Sequence, residues 1–298
     1  MNKIANYIRA VRLPFIAASI FPFIAGSLLA QSQFKVIPFI LGLFSVVCAH
    51  LGANLMNDYA DSKSGADWQD KTFYGFFGGS KLIQENVLSE RFYLVFSIIC
   101  FAIAFACVGV LAVLLQNVAI IGYCLLVMLL GFSYSHKPLQ LSYHRLGEII
   151  IFLLFGCAPV MGAYYIQTGV FPTLKSFLLS LPFGFFTTAI LFSNEVPDFE
   201  TDSKAKKYTW VSITGAKGAY ILYGVLVTLG FASVILNVIA NNLHGAACIA
   251  IVFAGFSYKA FAILKNQHED KAKLIESSKA TIAVQALVSI VIIAGVIL

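Results

Sequence analysis

The sequence predicts an all-α, polytopic membrane protein, and three observations predict it. Hydrophobic residues make up 59% of the 298, charged residues only 11%, and mean hydropathy is +0.86. A soluble domain carries about 25% charged residues. Nine apolar stretches, each near the ~20 residues that cross a bilayer as a helix, divide the chain. The charges are also segregated among the segments that join them.

The first stretch, 13–31, follows an amphipathic segment with Ile4, Tyr7, Ile8 and Val11 at helical spacing, which suits the membrane interface. Lys3, Arg9 and Arg12 ahead of it imitate a signal peptide, but the eight stretches that follow make it a retained first helix. The second, 36–57, runs into an Asn/Asp-rich segment. The third and fourth, 92–115 and 117–135, join almost directly. The fifth, 147–168, leads by a short connection to the sixth, 174–194, which runs into a second Asn/Asp-rich segment. The last three are 217–239, 243–264 and 279–298. Residues 1–298 thus read as a single transmembrane domain. Short connections (32–35, 116, 169–173, 240–242) alternate with long ones (58–91, 136–146, 195–216, 265–278). Long ordered connections usually carry function, so the working end lies on their side.

Of the 20 Lys and Arg, only Lys35 and Lys175 fall on the other side, and all 14 Asp and Glu lie with the long connections. The positive-inside rule makes that side cytoplasmic, with the N-terminus on it and the site facing it, as expected of a multi-pass protein of the cell membrane. The net charge of +6 reflects this topology and not a nucleic-acid partner; the implied environment is the lipid bilayer. Cys48, Cys100, Cys107, Cys124, Cys157 and Cys248 have no CxxC spacing and read as packing residues. The five His show no metal-ligand spacing, although His136 and His144 lie close in sequence to the proposed site.

The two acidic segments carry the chemistry. The first reads Asn57-Asp58-Tyr59-Ala60-Asp61, with Asp67 behind it; the second reads Asn194-Glu195-Val196-Pro197-Asp198, with Asp202 behind it. Two carboxylates about 5 Å apart repel by roughly 3 kcal/mol at an effective dielectric of about 20. A divalent cation removes that cost, and oxygen-only ligands suit Mg²⁺. The i,i+4 spacing puts Asn57 and Asp61 on one helix face and turns Asp58 away. Asp67 is about 280° further round an unbroken helix, so it joins them only if Ser64-Gly65 ends the helix. Asn194, Asp198 and Asp202 form an i,i+4,i+8 stripe, with Pro197 predicting a kink or a new helix start.

Two metal-binding clusters on one cavity suggest a substrate with a diphosphate, which basic side chains would also hold. The candidates are Lys63, Lys81, Lys137, Arg145, Lys204 and Lys207, and Gly78-Gly79-Ser80 allows close backbone approach to an anion. A faint repeat supports one shared cavity. Gly131-Phe132-Ser133-Tyr134 recurs as Gly255-Phe256-Ser257-Tyr258, and both acidic segments follow helices at the same offset of four. This predicts duplicated four-helix units about an axis along the membrane normal.

These residues resemble the UbiA superfamily of intramembrane prenyltransferases over nearly the whole chain. Asn54 to Asp61 followed by Lys63-Ser64-Gly65-Ala66-Asp67 resembles its first Asp motif. Asn194 to Asp202, with Lys207 and Thr209, resembles the second. The longer spacing to Asp67, Gly78-Gly79-Ser80, and Lys137 through Tyr143 with Leu146-Gly147-Glu148 are similar to the menaquinone branch, which prenylates 1,4-dihydroxy-2-naphthoate. The resemblance implies nine helices around a central cavity. Metal held by Asn57, Asp61, Asp67, Asn194, Asp198 and Asp202 would grip a polyprenyl diphosphate. Lys63, Lys81, Arg145, Lys204, Lys207, Gly79 and Ser80 would contact the diphosphate. Tyr134, Lys137, Asp61 and Asp198 would be catalytic. The implied reaction moves a polyprenyl chain to an aromatic acceptor, a naphthoate with loss of CO₂. The alternatives are another acceptor such as 4-hydroxybenzoate, or a cation transporter. The gathering of every acid at one interface argues against transport, which usually binds near the midplane.

Overall fold

The computed structural model describes residues 3–298. The helices are α1 (Lys3–Ala10), α2 (Ala17–Leu28), α3 (Val36–Ser64), α4 (Glu90–Leu114), α5 (Ala119–Ser135), α6 (Gly147–Phe152), α7 (Ala158–Thr168), α8 (Leu174–Glu195), α9 (Phe199–Lys204), α10 (Val211–Ile239), α11 (Ala254–Asn266) and α12 (Lys271–Ile297). A π turn, Leu153–Cys157, joins α6 to α7, and a long 3₁₀ segment, Gly245–Phe253, leads into α11. Among the described residues there is no strand, only an isolated bridge between His144 and Tyr208.

The chain is an all-α, multi-pass membrane protein. Seven helices among the described residues are long and apolar enough to cross a bilayer, and the pair Lys3–Ala10 and Leu13–Leu28, bent by 42°, makes up to eight. Helix α5 has only 17 residues, about 25 Å at 1.5 Å per residue, against a hydrocarbon core of about 30 Å. The nine crossings expected from hydropathy are reached only with α5 included. Large apolar side chains such as Val113, Val118, Leu174 and Val252 stand exposed, each more than 70% accessible, as a lipid-facing surface requires.

Several helices outrun their apolar stretches. Helix α3 continues seven residues past 57 to Ser64, and α12 starts at Lys271 instead of 279. Apolarity marks the part in lipid, whereas backbone hydrogen bonding carries the helix on into the interface. Those extensions hold the polar residues of the site.

Helices in lipid associate through close packing and side-chain hydrogen bonds, since apolar burial gives no preference for a neighbour over a lipid tail. A Cβ on Gly26 of α2 would come within 2.3 Å of the Val160 carbonyl oxygen on α7. One on Gly156 would come within 2.6 Å of the Gly184 Cα on α8. Hydrogen bonds join the same bundle: Ser45 Oγ to the Ala104 carbonyl at 3.0 Å, Ser97 Oγ to the Gly52 carbonyl at 2.9 Å, and Tyr223 to Thr281 at 2.9 Å.

Gly26→Val is therefore expected to destabilise the bundle by about 2 kcal/mol or more, since the overlap is with backbone that has nowhere to move. Gly255, where a Cβ would meet no atom within 4 Å, is the control. Thermal unfolding in detergent should show Gly26→Val clearly lowered and Gly255→Ala near wild type; equal melting temperatures would contradict the close-packing explanation.

Candidate active site

A cavity of about 220 Å³ opens where the long connections meet the helices. Asn57, Asp61, Asp67, Asn194, Asp198 and Asp202 all line it, with Gly78, Gly79, Lys81, Tyr134 and Lys207. The residues reach it by distinct local devices. Helix α3 delivers Asn57 and Asp61 on one face, and Asn57 Nδ2 donates to Asp61 at 3.2 Å and to Ser135 at 3.0 Å. Gly65 then ends the helix in the left-handed conformation (φ 87°). The 3₁₀ turn Ala66–Trp68 folds Asp67 back into the cavity.

The second segment departs from the expected continuous stripe. Helix α8 stops at Glu195 and α9 starts at Phe199, with Pro197 in the turn between them. Asn194, Asp198 and Asp202 reach the cavity even so. Glu195, off the stripe in the sequence, lines it as well, on the same face of α8 as Leu191 and Thr187.

Cations hold the acids apart. Lys81 Nζ, only 4% exposed, bonds the Asp67 carboxylate at 2.8 Å and its carbonyl at 3.2 Å. Lys207 lies 3.4 Å from Asp202. Arg12 pairs with buried Asp58 and lies 3.4 Å from the Asn57 side-chain oxygen. Asp58 also accepts from the Ser80 amide at 3.1 Å, so it anchors the Gly78-Gly79-Ser80 loop. Gly79 has φ 79°, and a Cβ there would sit 3.1 Å from Asp67 and 3.3 Å from both Arg12 and Asp58. Only glycine fits this place.

The charges are strained even with these partners. Burial, with Asp61 and Asp58 nearby, pushes Asp67 up to about 6 against the pull of Lys81. Burial and Asp202 push Asp198 up to about 7. Burial also raises Asp202, although Lys207 opposes it. Burial works against the Lys207 ammonium, but Asp202 and Asp61 outweigh it and hold this group well above its usual value. Carboxylates held above their usual range by burial and by one another favour an added cation. Among the described residues, no three carboxylate or imidazole groups converge tightly enough to hold a metal ion unaided.

Four expected diphosphate contacts (Lys63, Ser80, Arg145 and Lys204) and the expected catalytic Lys137 stand away from the cavity wall. Lys63 is exposed and paired with Glu90. Arg145 is exposed, with Nε on Ser212 at 3.0 Å. Lys137 and Lys204 are exposed, and Ser80 is buried against the Tyr93 hydroxyl at 2.6 Å. Exposed lysines at the interface act as topology anchors. Arg12 was concealed among such anchors in the sequence; its left-handed backbone (φ 50°) just before the Leu13–Ile16 turn is what directs it inward. Tyr143 was also without an assigned role. It bonds Ser64 at 3.0 Å and Asp61 at 3.4 Å, and Tyr208 N donates to its carbonyl at 3.1 Å, tying the 136–146 loop to Lys207's loop.

Below the charged cavity lies an apolar chamber of about 190 Å³, bounded by α2 to α5 and α7. His50 and Phe155 line both spaces and form the boundary between them, their rings 5.4 Å apart and edge to face. Phe23, Val108, Ile120, Ala163, Tyr165 and Ile166 line this chamber and pack together as one apolar cluster.

The chain is similar to several known proteins. The chain is 29% identical over 236 residues to 1,4-dihydroxy-2-naphthoate octaprenyltransferase of Bacillus subtilis (strain 168), covering 78% of this chain and 72% of that protein. It is 29% identical over 240 residues to human UbiA prenyltransferase domain-containing protein 1, covering 77% and 67%. Its fold matches the apo structure of a UbiA homolog from Aeropyrum pernix K1 with a TM-score of 0.72 at 19% identity, over 94% of this chain and 96% of that one. It also matches a UbiA homolog from Archaeoglobus fulgidus bound to GPP and Mg²⁺, with a TM-score of 0.63 at 14% identity, over 97% and 99%. The profile of the UbiA prenyltransferase family spans residues 19–283. With its helices, its paired acidic segments and a family match over that length, the chain belongs to the UbiA prenyltransferase family and is a membrane-embedded prenyltransferase.

Proposed function

We propose that the protein transfers a polyprenyl chain from its diphosphate to 1,4-dihydroxy-2-naphthoate, with loss of CO₂, at the cytoplasmic face of the cell membrane. The observation that carries this reading is a charged cavity lined by five aspartates (Asp61, Asp67, Asp70, Asp198 and Asp202) that shares His50 and Phe155 with an adjoining apolar chamber. A polyprenyl diphosphate has the same two-part character. The Bacillus subtilis relative supports the acceptor, and the A. fulgidus homolog supports the donor and the metal.

The donor set fits Mg²⁺. This ion binds through one or two carboxylates plus substrate phosphates, and seldom in an all-protein cage. Aspartates brought to one cavity from α3 and the turn after it, and from the α8–α9 segment, offer oxygen ligands of the kind this ion takes. Asn57, Asp61 and Asp67 would hold it on one wall, and Asn194, Asp198 and Asp202 on the other. When bound, Mg²⁺ would supply positive charge that offsets the negative charge of the diphosphate leaving group.

The chain's own residues do the rest. Lys81 and Lys207 exchange their aspartate partners for diphosphate oxygens and stabilise the charge on the leaving group. Gly78 and Gly79 let the backbone approach it. Tyr134 presents an aromatic face to the allylic cation. The apolar chamber takes the isoprenoid tail and keeps water from quenching the cation before the ring carbon attacks it.

The alternative within the family is another aromatic acceptor. Incubating the purified protein with a polyprenyl diphosphate, Mg²⁺ and a panel of hydroxylated aromatics, with mass spectrometry of the products, decides between them. A decarboxylated, prenylated naphthalene is expected. Diphosphate release should stop on chelation and resume with added Mg²⁺; turnover in the absence of divalent metal would rule out the mechanism.

Asp61→Ala and Asp198→Ala should each lower kcat by about a thousandfold or more, the scale of losing a transition-state charge stabiliser, while the protein stays membrane-inserted. Near-normal rates in either would remove that residue from the metal site. Gly131 lines the apolar chamber. Gly131→Trp should therefore reduce turnover of long prenyl diphosphates while sparing dimethylallyl diphosphate, and equal losses for short and long donors would place the tail elsewhere.

A further inference from the structure

The two helices that deliver the acidic segments carry a second pair of polar residues deeper in the membrane. His50 stands seven residues before Asn57 on α3, and Thr187 seven residues before Asn194 on α8. Seven residues are close to two helical turns, so each lies on the face of its Asn and about 10 Å deeper. Both line the charged cavity, at 6% and 7% exposure. The wall around them is apolar and includes Ala18, Ile151, Phe155 and Ile190.

Each residue has an unmatched polar atom. His50 Nδ1 is bonded to Ser19 Oγ at 2.6 Å, which fixes the ring, but Nε2 has no partner. Thr187 Oγ1 has none either. Buried polar atoms are normally hydrogen-bonded, and a helical Thr or Ser usually satisfies itself on a carbonyl one turn back. Ser180 on the same helix does so, bonding the Phe177 carbonyl at 2.6 Å. Thr187 does not.

The level of these atoms matters. The aspartates lie above them, and the apolar chamber begins beside His50 and Phe155. A prenyl diphosphate gripped above, with its tail in the chamber, passes its reactive first carbon through this level. The second substrate has to meet it there.

We propose that His50 and Thr187 hold the aromatic acceptor, each hydrogen-bonding one of two oxygen substituents on its ring. This rests on the prenyl-transfer reading given above. It restricts the acceptor to a ring with at least two oxygens on separate edges, and it makes both residues determinants of acceptor choice and not of donor binding.

The test uses full-length purified protein with Mg²⁺, a polyprenyl diphosphate, and either 1,4-dihydroxy-2-naphthoate or its monomethyl ether. Thr187→Val and His50→Leu should raise the acceptor KM roughly tenfold or more, as expected for a lost hydrogen bond to a buried group, with the donor KM changed less than about twofold. His50→Gln, which retains a polar end, should recover part of the loss. Wild type should reject the monomethyl ether, and Thr187→Val or His50→Leu should reject it less. Prenyl diphosphate binding to each variant reports that the fold is intact. An unchanged acceptor KM, or equal rises in both KM values, would overturn the assignment and leave the atoms to ordered water. Wild-type failure with every hydroxylated aromatic would overturn the prenyl-transfer reading and this inference with it.

Discussion

Asp61, Asp67, Asp198 and Asp202 come from two distant parts of the chain to one cavity, where Asp61 raises the cost of ionising Asp67, Asp67 that of Asp202, and Asp202 that of Asp198. Much of the architecture at this end of the bundle answers that repulsion. Lys81 folds in from the loop after α3 to meet Asp67, Lys207 is brought by the loop before α10 to meet Asp202, and Arg12 neutralises Asp58 beneath the glycine loop. At about 3 kcal/mol per close pair at moderate dielectric, such a cluster would be a poor feature for stability alone. Its value lies in an incompletely satisfied affinity for positive charge, which, on the function proposed here, a metal-bearing diphosphate would supply.

The rest of the molecule divides the substrate's two characters between two environments. The helices outrun their apolar stretches, so the same α3 carries Gly42 and Ser45 in the apolar chamber and Asn57 and Asp61 in the charged cavity. Rigid helices fix the depth of each group, and the loops only close the top. His50 and Phe155 stand where one environment gives way to the other. On the proposed mechanism, an allylic cation formed at that boundary would be close to the leaving group's counter-charge.

Part of this was legible in the residues. The i,i+4 spacing of Asn57 and Asp61 places them together on one helix face, and Ser64-Gly65 marks where the chain turns to return Asp67. Helix existence followed from hydropathy, but helix ends did not, because a helix continues into water for as long as its backbone bonds are met. The basic residues were the least readable. A lysine at the membrane edge is explained equally by topology and by a ligand, and only the closure of distant loops separates Lys81 and Lys207 from exposed Lys63, Lys137 and Lys204. Glu195 shares its helix face with Leu191 and Thr187, four and eight residues earlier on α8, and the stripe through Asn194 and Asp198 did not include it. His50 and Thr187 gave no sequence signal, since a lone polar residue in an apolar run is usually satisfied within the bundle.

The central claim is that the two acidic segments share one metal-bridged diphosphate. Electron–nuclear double resonance on protein loaded with Mn²⁺ and a non-reactive prenyl thiodiphosphate tests this most directly. Wild type should show ³¹P coupling to Mn²⁺ that is lost in both Asp61→Ala and Asp198→Ala, since each wall supplies part of the same site. Coupling that survives unchanged in either variant, or Mn²⁺ bound without any ³¹P coupling in wild type, would contradict it.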